Sequence, residues 1–203
     1  MKDWATSLQR HIAFFRKSGF IIQGRGITSP KKPLSANLPG ELTHFYETAC
    51  SSVEVTFYRQ FPKDLLPLDD GMFYACINIV SERELPAVTR SMQESAENAW
   101  ISQDQKERNL WMGATPFLVL RNGDYIGIGD SGKVWYLCHD AKSFILADSL
   151  SEWLEYWRSI FFIGPEWFVL EPVLVRSRKV GAAAKKVAAF RECVSKLLCI
   201  DGL

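Results

Sequence analysis

The sequence predicts an α+β fold, a single antiparallel sheet packed by helices, with additional helices near both termini. Two patterns carry this prediction. Residues 117–147 contain four short apolar segments separated by turn residues, which is typical of a β-meander. Residues 149–161 then place apolar side chains at helical spacing, so the meander is expected to end in an amphipathic helix.

The turns of the meander are indicated by their residue types. Asn122-Gly123 is typical of a tight hairpin, because both residues tolerate positive φ. Asp130-Ser131-Gly132 and the segment 139–142 supply the next two reversals. The predicted strands therefore run over 117–120, 124–129, 133–138 and 144–147.

The helix after the meander is predicted to begin at Ser149. Its hydroxyl can cap a backbone N–H while Glu152 reaches back, which is the capping-box pattern. The helix carries an apolar stripe that is expected to lie on the sheet. This stripe consists of Leu150, Trp153, Leu154, Trp157, Ile160 and Phe161.

Before the meander, the chain is predicted to alternate helices, loops and strands. A first helix after Asp3 would end near Gly19, and residues 24–39, rich in Gly, Pro, Ser and Lys, are expected to form a loop. A second helix opens over residues 38–41, and strands are predicted over 53–59 and 72–80 with a structured loop at 61–67. The inward residues of the two helices would be Trp4, Leu8, Ile12, Phe15, Leu42, Phe45, Tyr46 and Ala49.

Residues 81–111 are predicted to form the longest helical stretch. Ser81 and Glu84 have capping-box spacing, whereas Pro86 lacks a backbone donor, so the start is left open between Ser81 and Pro86. Its candidates for burial are Leu85, Val88, Met92, Ala96 and Trp100. After the meander, 167–175 is predicted to be a strand or strap, and a basic run at 176–186 to precede an amphipathic helix over 187–198.

Composition restricts the classes of partner and compartment. The formal net charge of +1 argues against a dedicated nucleic-acid or membrane-surface binder. The most apolar stretch, 160–175, is broken by Gly, Pro and Glu residues, so no membrane span is predicted. The five cysteines are scattered without a C-x-x-C pair, which is typical of reduced thiols in a cytoplasmic protein. These cysteines are Cys50, Cys76, Cys138, Cys193 and Cys199.

Two phosphate-binding patterns overlap at residues 127–133. Gly127, Gly129 and Gly132 match G-x-G-x-x-G, and Lys133 completes most of a P-loop pattern. Both motifs need a helix after the glycines to bind phosphate, yet the residues from Val134 onward predict a strand. The glycines are therefore interpreted as turn residues, and no cofactor is expected.

Other motifs that resemble catalytic or metal sites are incomplete. His139-Asp140 is a pair that ligates metal in some phosphohydrolases, but no further ligand has a matching spacing. We expect both side chains to bond to backbone in a turn, and we expect Cys138 and His139 to point to opposite faces of a strand. Neither a catalytic residue nor a metal ligand is predicted.

Four acids lie in or beside predicted turns and are the candidate partner-binding residues. They could gather on one rim of the sheet, or they could be ordinary loop acids. These residues are Asp69, Asp70, Asp124 and Asp130.

The meander also matches a family pattern. The residues concerned are Pro116-Phe117-Leu118, Asn122-Gly123-Asp124-Tyr125-Ile126, Lys133-Val134-Trp135-Tyr136, the segment 146–154, and the opening helix with Leu38-Pro39, Leu42, Phe45 and Tyr46. Together they resemble the SUKH superfamily of Smi/Knr-type domains. The resemblance covers about residues 38–162, and the segment 81–111 is longer than a minimal member needs.

The resemblance implies a protein-binding function without chemistry of its own. An antiparallel sheet with helices on one side is expected, in one domain with a terminal helix and loop (1–37), a core (38–162) and a C-terminal strap and helix (163–203). The implied function is that of an immunity protein, a monomer or homodimer that occludes a cognate toxin of nuclease or deaminase type. The alternatives are an interaction scaffold of the same fold and, from the residues at 127–140, a hydrolase or nucleotide-binding enzyme.

Overall fold

The computed structural model describes residues 4–17, 21–27, 38, 40–49, 53–60, 72–98 and 100–159. The helices in this part of the chain are α1 (Trp4–Lys17), α2 (Gly40–Ala49), α3 (Leu85–Asn98), α4 (Gln105–Gly113) and α5 (Leu150–Ser159), with a 3₁₀ helix over Trp100–Gln103. The strands are β1 (Ile21–Ile27), β2 (Val53–Gln60), β3 (Met72–Ile79), β4 (Thr115–Val119), β5 (Tyr125–Ile128), β6 (Val134–Leu137) and β7 (Phe144–Ala147).

The seven strands form one antiparallel sheet whose strand order follows the chain, from β1 to β7. This confirms the predicted α+β class and the meander. Asn122-Gly123 and Asp130-Ser131-Gly132 form turns, and the glycines adopt φ values of 91° and 77°. A residue with a side chain is strained in that region, so glycine is needed at both positions.

The described residues divide into two compact units. One contains the described parts of Met1–Ala5, Arg25–Glu54 and Asn78–Glu155, and the other those of Thr6–Gly24, Val55–Ile77 and Tyr156–Leu203. All of the interactions discussed below for the meander lie within the first unit. The prediction of a single domain over 1–203 stays a prediction.

Side chains of the meander alternate between two buried faces of the sheet. Tyr125 and Leu137 are paired across β5 and β6 and belong to a core cluster that also contains Trp111 of α4. The Trp111 and Tyr125 rings meet edge to face with centroids 5.9 Å apart. Because β5 is buried at all four positions, both faces of the sheet are covered here. The single covered side implied by the resemblance is therefore wrong for β5.

Helix α2 is packed as its sequence predicts. Leu42, Phe45 and Tyr46 are fully buried. The Phe45 ring lies edge to face with that of Phe117, with centroids 5.8 Å apart, and the Tyr46 hydroxyl donates to the Val80 carbonyl over 2.7 Å. The amphipathic pattern thus selected the correct face, and the buried hydroxyl has the partner that burial requires.

The prediction of one long helix over 81–111 is wrong. The chain instead forms α3, the 3₁₀ helix and α4. The cause is a second helix start: Asp104 accepts hydrogen bonds from the backbone N–H groups of Lys106 and Glu107 over 2.9 and 3.3 Å. An acid that caps in this way begins a new helix rather than continuing an old one.

The start of α3 combines the Ser81–Glu84 capping box with Pro86 in the first turn of the helix. Ser81 and Glu84 make the reciprocal capping contacts, with Ser81 N donating to Glu84 Oε2 over 3.2 Å and Glu84 N to Ser81 Oγ over 3.3 Å. The helix then begins at Leu85, so Pro86 lies in the first turn, where a missing donor costs little. The predicted burial is confirmed for Leu85, Met92 and Ala96, and Val88 and Trp100 are partly buried.

Helix α5 is also capped by the predicted residues. Ser149 Oγ accepts from Glu152 N over 3.1 Å, and Glu152 Oε2 accepts from Asp148 N over 2.8 Å, one residue earlier than the pattern specifies. The predicted stripe is buried at the positions that the structure describes. These are Leu150, Trp153, Leu154 and Trp157.

Part of the loop predicted over 24–39 belongs to strand β1 instead. Gly24 adopts a φ of 110°, which a glycine permits within a strand at little steric cost. Local composition favoured a loop, but pairing with the rest of the sheet decides strand formation more strongly. The predicted helix α1 and strands β2 and β3 are confirmed, and Leu8 of α1 is buried.

Several predictions fall outside the described residues. They concern Asp3, Gly19, the loops at 28–37 and 61–67, Ile160 and Phe161, the strap at 167–175, the basic run at 176–186 and the helix over 187–198. Among the helices that the structure describes, none combines the length and apolar character required to cross a bilayer.

Candidate protein-binding site

Asp124 is a fully buried carboxylate at the start of β5. Its Oδ1 accepts hydrogen bonds from the backbone N–H and from Nδ1 of His139, each over 2.7 Å. Its Oδ2 accepts from the Tyr136 hydroxyl over 2.7 Å and from the Asn122 side-chain amide. Four donors from two turns and one strand therefore converge on a single side chain, which offsets the cost of burying it.

The contact with Asp124 determines the tautomer of His139. A carboxylate only accepts hydrogen bonds, so Nδ1 of His139 carries the proton in this contact. The histidine backbone is held as well, because Trp100 Nε1 donates to its carbonyl over 2.6 Å. The His139 side chain is nevertheless 43% exposed, so one part of the ring is bonded inward while another part faces solvent.

A second buried carboxylate supports the same turn from the helical side. Glu107 of α4 is only 9% exposed, and its two oxygens accept from the backbone N–H of Ser143 over 3.2 and 3.3 Å. The Ser143 hydroxyl accepts in turn from Trp111 Nε1 over 3.2 Å and from Cys138 N over 3.3 Å. The end of the turn is thereby bonded to α4.

Residues 138–143 thus form a turn that is bonded at both ends, and we call it the clamped loop. Its anchors are Asp124 and Glu107, and its tip is open to solvent. Asp140 and Ala141 are exposed, and the Lys142 side chain is 79% exposed. A loop of this kind presents polar side chains in a fixed arrangement, so little backbone freedom is lost when a partner binds.

Cys138 lies at the start of the clamped loop but is not a reactive thiol. It is buried, and its sulfur donates to Asp140 Oδ1 over 3.0 Å. Burial, followed by this hydrogen bond, raises the pKa of Cys138 to about 12. At neutral pH the thiolate needed for nucleophilic attack is therefore scarce.

Asp104 lies beside the clamped loop and has a pKa below its ordinary value. The main cause is the pair of hydrogen bonds that it accepts from the backbone of Glu107 and Lys106, which favour the charged form. Lys142 adds to the effect, with its Nζ 3.7 Å from Asp104 Oδ2. The α4 cap and the loop tip thus interact electrostatically.

The four predicted partner-binding acids are not brought together where the structure describes them. Asp124 and Asp130 lie beyond opposite ends of β5, whose four residues alone span about 13 Å. Asp124 is buried under the clamped loop, whereas Asp130 is exposed in the β5–β6 turn. Asp69 and Asp70 lie outside the described residues.

The glycines of the two phosphate-binding patterns lie in β5 and in the β5–β6 turn, as expected for a hairpin. Strand β6 follows Lys133 directly, so no helix N-terminus follows the glycines at 127–132. The Lys133 ammonium instead pairs with Asp148 over 2.7 Å. Across the described residues, no group of His, Cys, Asp and Glu side chains is arranged to bind a metal. The expectation that the His139 side chain bonds to backbone is wrong, since its Nδ1 bonds to the Asp124 carboxylate.

Sequence reasoning missed three residues of this site, which are Glu107, Ser143 and Trp100. Glu107 contacts a residue 36 positions away, and Trp100 contacts one 39 positions away, so no local pattern connects them. One signal was available for Glu107. An acid three residues after the capping Asp104, followed by Trp111 one turn later, has the spacing of a helical residue turned toward the core.

Comparison with known proteins gives no relative for this chain, since no protein-family model, no curated protein and no solved structure matches it.

Proposed function

We propose that this chain is a protein-binding immunity protein, which neutralises a cognate bacterial toxin of nuclease or deaminase type by covering it. The clamped loop forms part of the contact surface. The single observation that carries the proposal is the arrangement of this loop, which is bonded at both ends by buried carboxylates and exposed at its tip. The choice of a toxin as the partner rests on the resemblance of the meander to the SUKH superfamily.

Association costs both partners conformational freedom. Side chains and loops become ordered at the interface, and each ordered rotamer-rich side chain costs about 0.5–1.5 kcal/mol. The backbone of the clamped loop is ordered before the partner arrives, because its N–H and C=O groups are bonded to Asp124, Glu107 and Trp100. Its exposed residues then contribute charge complementarity and specificity.

The proposed function requires no reaction catalysed by this chain. The Cys138 thiol is disfavoured as a nucleophile by its raised pKa of about 12, and Lys133 is paired with Asp148. His139 has its Nδ1 bonded to Asp124, where it orders the loop. Occlusion of another protein needs an ordered surface, which these interactions supply.

The test is protection in living cells. The protein encoded by the neighbouring open reading frame, as the candidate toxin, is expressed alone, with the full chain, or with a Lys142→Glu variant. Growth should be restored by the wild type and reduced with the variant, because reversal of an exposed loop charge disfavours a complementary partner. Glu94→Gln, an exposed change on α3, is the matched control and should protect fully.

Two results would contradict the proposal. Full toxicity in the presence of the wild-type chain excludes neutralisation of that toxin. The second result is that the chain binds the neighbouring protein, but this protein is not toxic when it is expressed alone. The chain would then belong to the interaction scaffolds of the same fold.

A further inference from the structure

Three partly exposed apolar side chains lie on one side of the sheet, Trp135 of β6 and Ile145 of β7 together with Leu110 of α4. We call Leu110, Trp135 and Ile145 the apolar strip. A Cβ atom placed on Gly129 would lie 3.2 Å from Trp135 Cδ1 and 3.7 Å from Leu110 Cδ1, so both side chains border this glycine. Trp135 is paired with Ile145 across β6 and β7, which places the two side chains on the same face.

The apolar strip is only partly covered. Leu110 and Trp135 pack against the core cluster with one side and remain partly exposed, while Ile145 is 46% exposed. A partly exposed tryptophan beside aliphatic side chains has the composition of an interface centre, where aromatic anchors contribute most of the binding free energy. The indole N–H of Trp135 takes part in none of the hydrogen bonds among the described residues, so it offers a donor to a partner.

An acid borders the strip in an electrostatically unfavourable position. A Cβ atom on Gly113 would lie 3.0 Å from Asp130 Oδ2, so this carboxylate lies against the last residue of α4. The C-terminal end of a helix carries partial negative charge, which favours cations rather than acids. Within the part of the chain that the structure describes, Asp130 has neither a hydrogen bond nor an ion pair.

From these observations we infer that the apolar strip and Asp130 together bind a protein segment that carries an Arg or Lys beside an apolar side chain. The cation would lie between Asp130 and the carbonyl end of α4, and the apolar side chain would cover Trp135 and Ile145. This inference rests on the proposed function, since it describes the chemistry of the partner. It adds a second contact area, which runs from Asp130 in the β5–β6 turn to Ile145 of β7.

The probe for this surface is a phage-displayed library of random peptides, panned on the full-length chain. Enriched peptides are synthesised for affinity measurement, and they should contain a basic residue next to an apolar or aromatic one. Their affinity should fall about tenfold or more for Asp130→Asn and for Ile145→Glu, because each change removes one half of the contact.

Matched controls separate the strip from the rest of the surface. Glu94→Gln changes another exposed acid, and Ile21→Glu changes another exposed isoleucine, which is 53% exposed on β1. Both should leave affinity within about twofold of the wild type. Unchanged denaturation midpoints would show that all four variants fold.

Three outcomes would overturn the inference. The first is enrichment of peptides without basic residues, and the second is equal binding by the wild type, Asp130→Asn and Ile145→Glu. The third is a dimer in sedimentation equilibrium that Ile145→Glu dissociates, which would assign the strip to a second copy of the chain. Failure to protect against a toxin, with such peptides still selected, would disprove the proposed function alone.

Discussion

Asp124 is the side chain on which the order of the clamped loop depends most. It accepts hydrogen bonds from His139, Tyr136 and Asn122 while it is excluded from solvent. Removal of this acceptor leaves the buried Tyr136 hydroxyl unsatisfied, at a cost of about 1–3 kcal/mol, and removes three partly buried hydrogen bonds as well. The stability of the fold and the position of the loop therefore depend on the same bonds.

The first prediction concerns this carboxylate. Asp124→Ala should lower the free energy of unfolding by about 3 kcal/mol or more, because it leaves the buried Tyr136 hydroxyl and three partly buried donors without an acceptor. Asp148→Ala is the matched control, since this acid is 75% exposed and pairs with Lys133 at the surface. It should cost about 0–1 kcal/mol. Equal urea midpoints for the two variants would contradict the described network.

The second prediction concerns Cys138. With its pKa raised to about 12, the thiol should react slowly with iodoacetamide in the folded protein at pH ~8. Peptide mass spectrometry should find Cys138 alkylated only after denaturation. Rapid labelling under native conditions would show that the thiol is exposed or ionised, contrary to its burial and its bond to Asp140.

The sequence predicts those residues of the site whose partners are close along the chain. Asn122-Gly123 and the Ser149 cap are defined within four residues, and the structure confirms both. Glu107 and Ser143 are separated by 36 residues, so their contact depends on how α4 packs on the sheet. No local propensity contains that information.

Helix α4 begins at a charged cap, Asp104, whose pKa is lowered. Its cap, Asp104, interacts with the partial positive charge of two backbone N–H groups and with Lys142. A carboxylate with a lowered pKa stabilises the fold above its unfolded pKa, and this contribution is lost as the pH falls through the folded value.

The third prediction follows from this loss of stability at low pH. Asn caps a helix about as well as Asp does but carries no charge. Asp104→Asn therefore removes only the pH-dependent part of the contribution that this residue makes to the free energy of unfolding. Between about pH 5 and pH 3, the wild type should lose more stability than Asp104→Asn. Urea midpoints at the two pH values measure the difference. Identical pH profiles for the two proteins would exclude a lowered pKa of Asp104.

Helix α5 provides the fourth prediction. Trp157 is fully buried, and Trp157→Ala should lower the free energy of unfolding by about 3–5 kcal/mol. The neighbouring Tyr156 is 40% exposed, and Tyr156→Ala should cost about 1 kcal/mol. Chemical denaturation of both variants tests the orientation of the helix, and a reversed order of the two values would contradict it.

Helix starts were predicted well where a single cap marks them, as Ser149 does for α5. The start of α3 was left open between Ser81 and Pro86, and the structure combines the two, with Ser81 and Glu84 as the cap and Pro86 in the first turn. In the segment 81–111, continuous helical spacing concealed the second start at Asp104, and at 24–27 glycines concealed strand β1. At 24–27 pairing with the rest of the sheet outweighed local composition, whereas at Asp104 a local cap outweighed the continuous helical spacing.

At the scale of the whole molecule, the class of fold follows from the periodicity of the chain. Apolar alternation and turn residues predicted the meander, and the structure extends it to a sheet of seven strands in chain order. The surface is less predictable, because its binding features depend on which exposed residues the fold brings together. The acids at 124 and 130 are close in sequence, yet they lie at different ends of β5.

In the proposed function, the buried core stabilises the fold and the exposed surface binds the partner. The buried rings of Trp111, Tyr125 and Phe117 stabilise the sheet, while the clamped loop and the apolar strip provide exposed groups for a partner. Substitutions at exposed residues can change the specificity of binding at little cost in stability, because the buried core that holds the loop stays the same. This division predicts that Lys142→Glu will alter binding strongly while it changes the free energy of unfolding by about 1 kcal/mol or less, the size of an exposed ion pair.

The proposed toxin-neutralising function is tested most directly by isothermal titration of the purified full-length chain with the protein encoded by the neighbouring open reading frame, as the candidate toxin. We predict saturable one-to-one binding that is weakened about tenfold or more by Lys142→Glu and is unchanged by Glu94→Gln. No heat of binding with the wild type, or equal affinity for all three proteins, would contradict a toxin-neutralising function that uses the clamped loop.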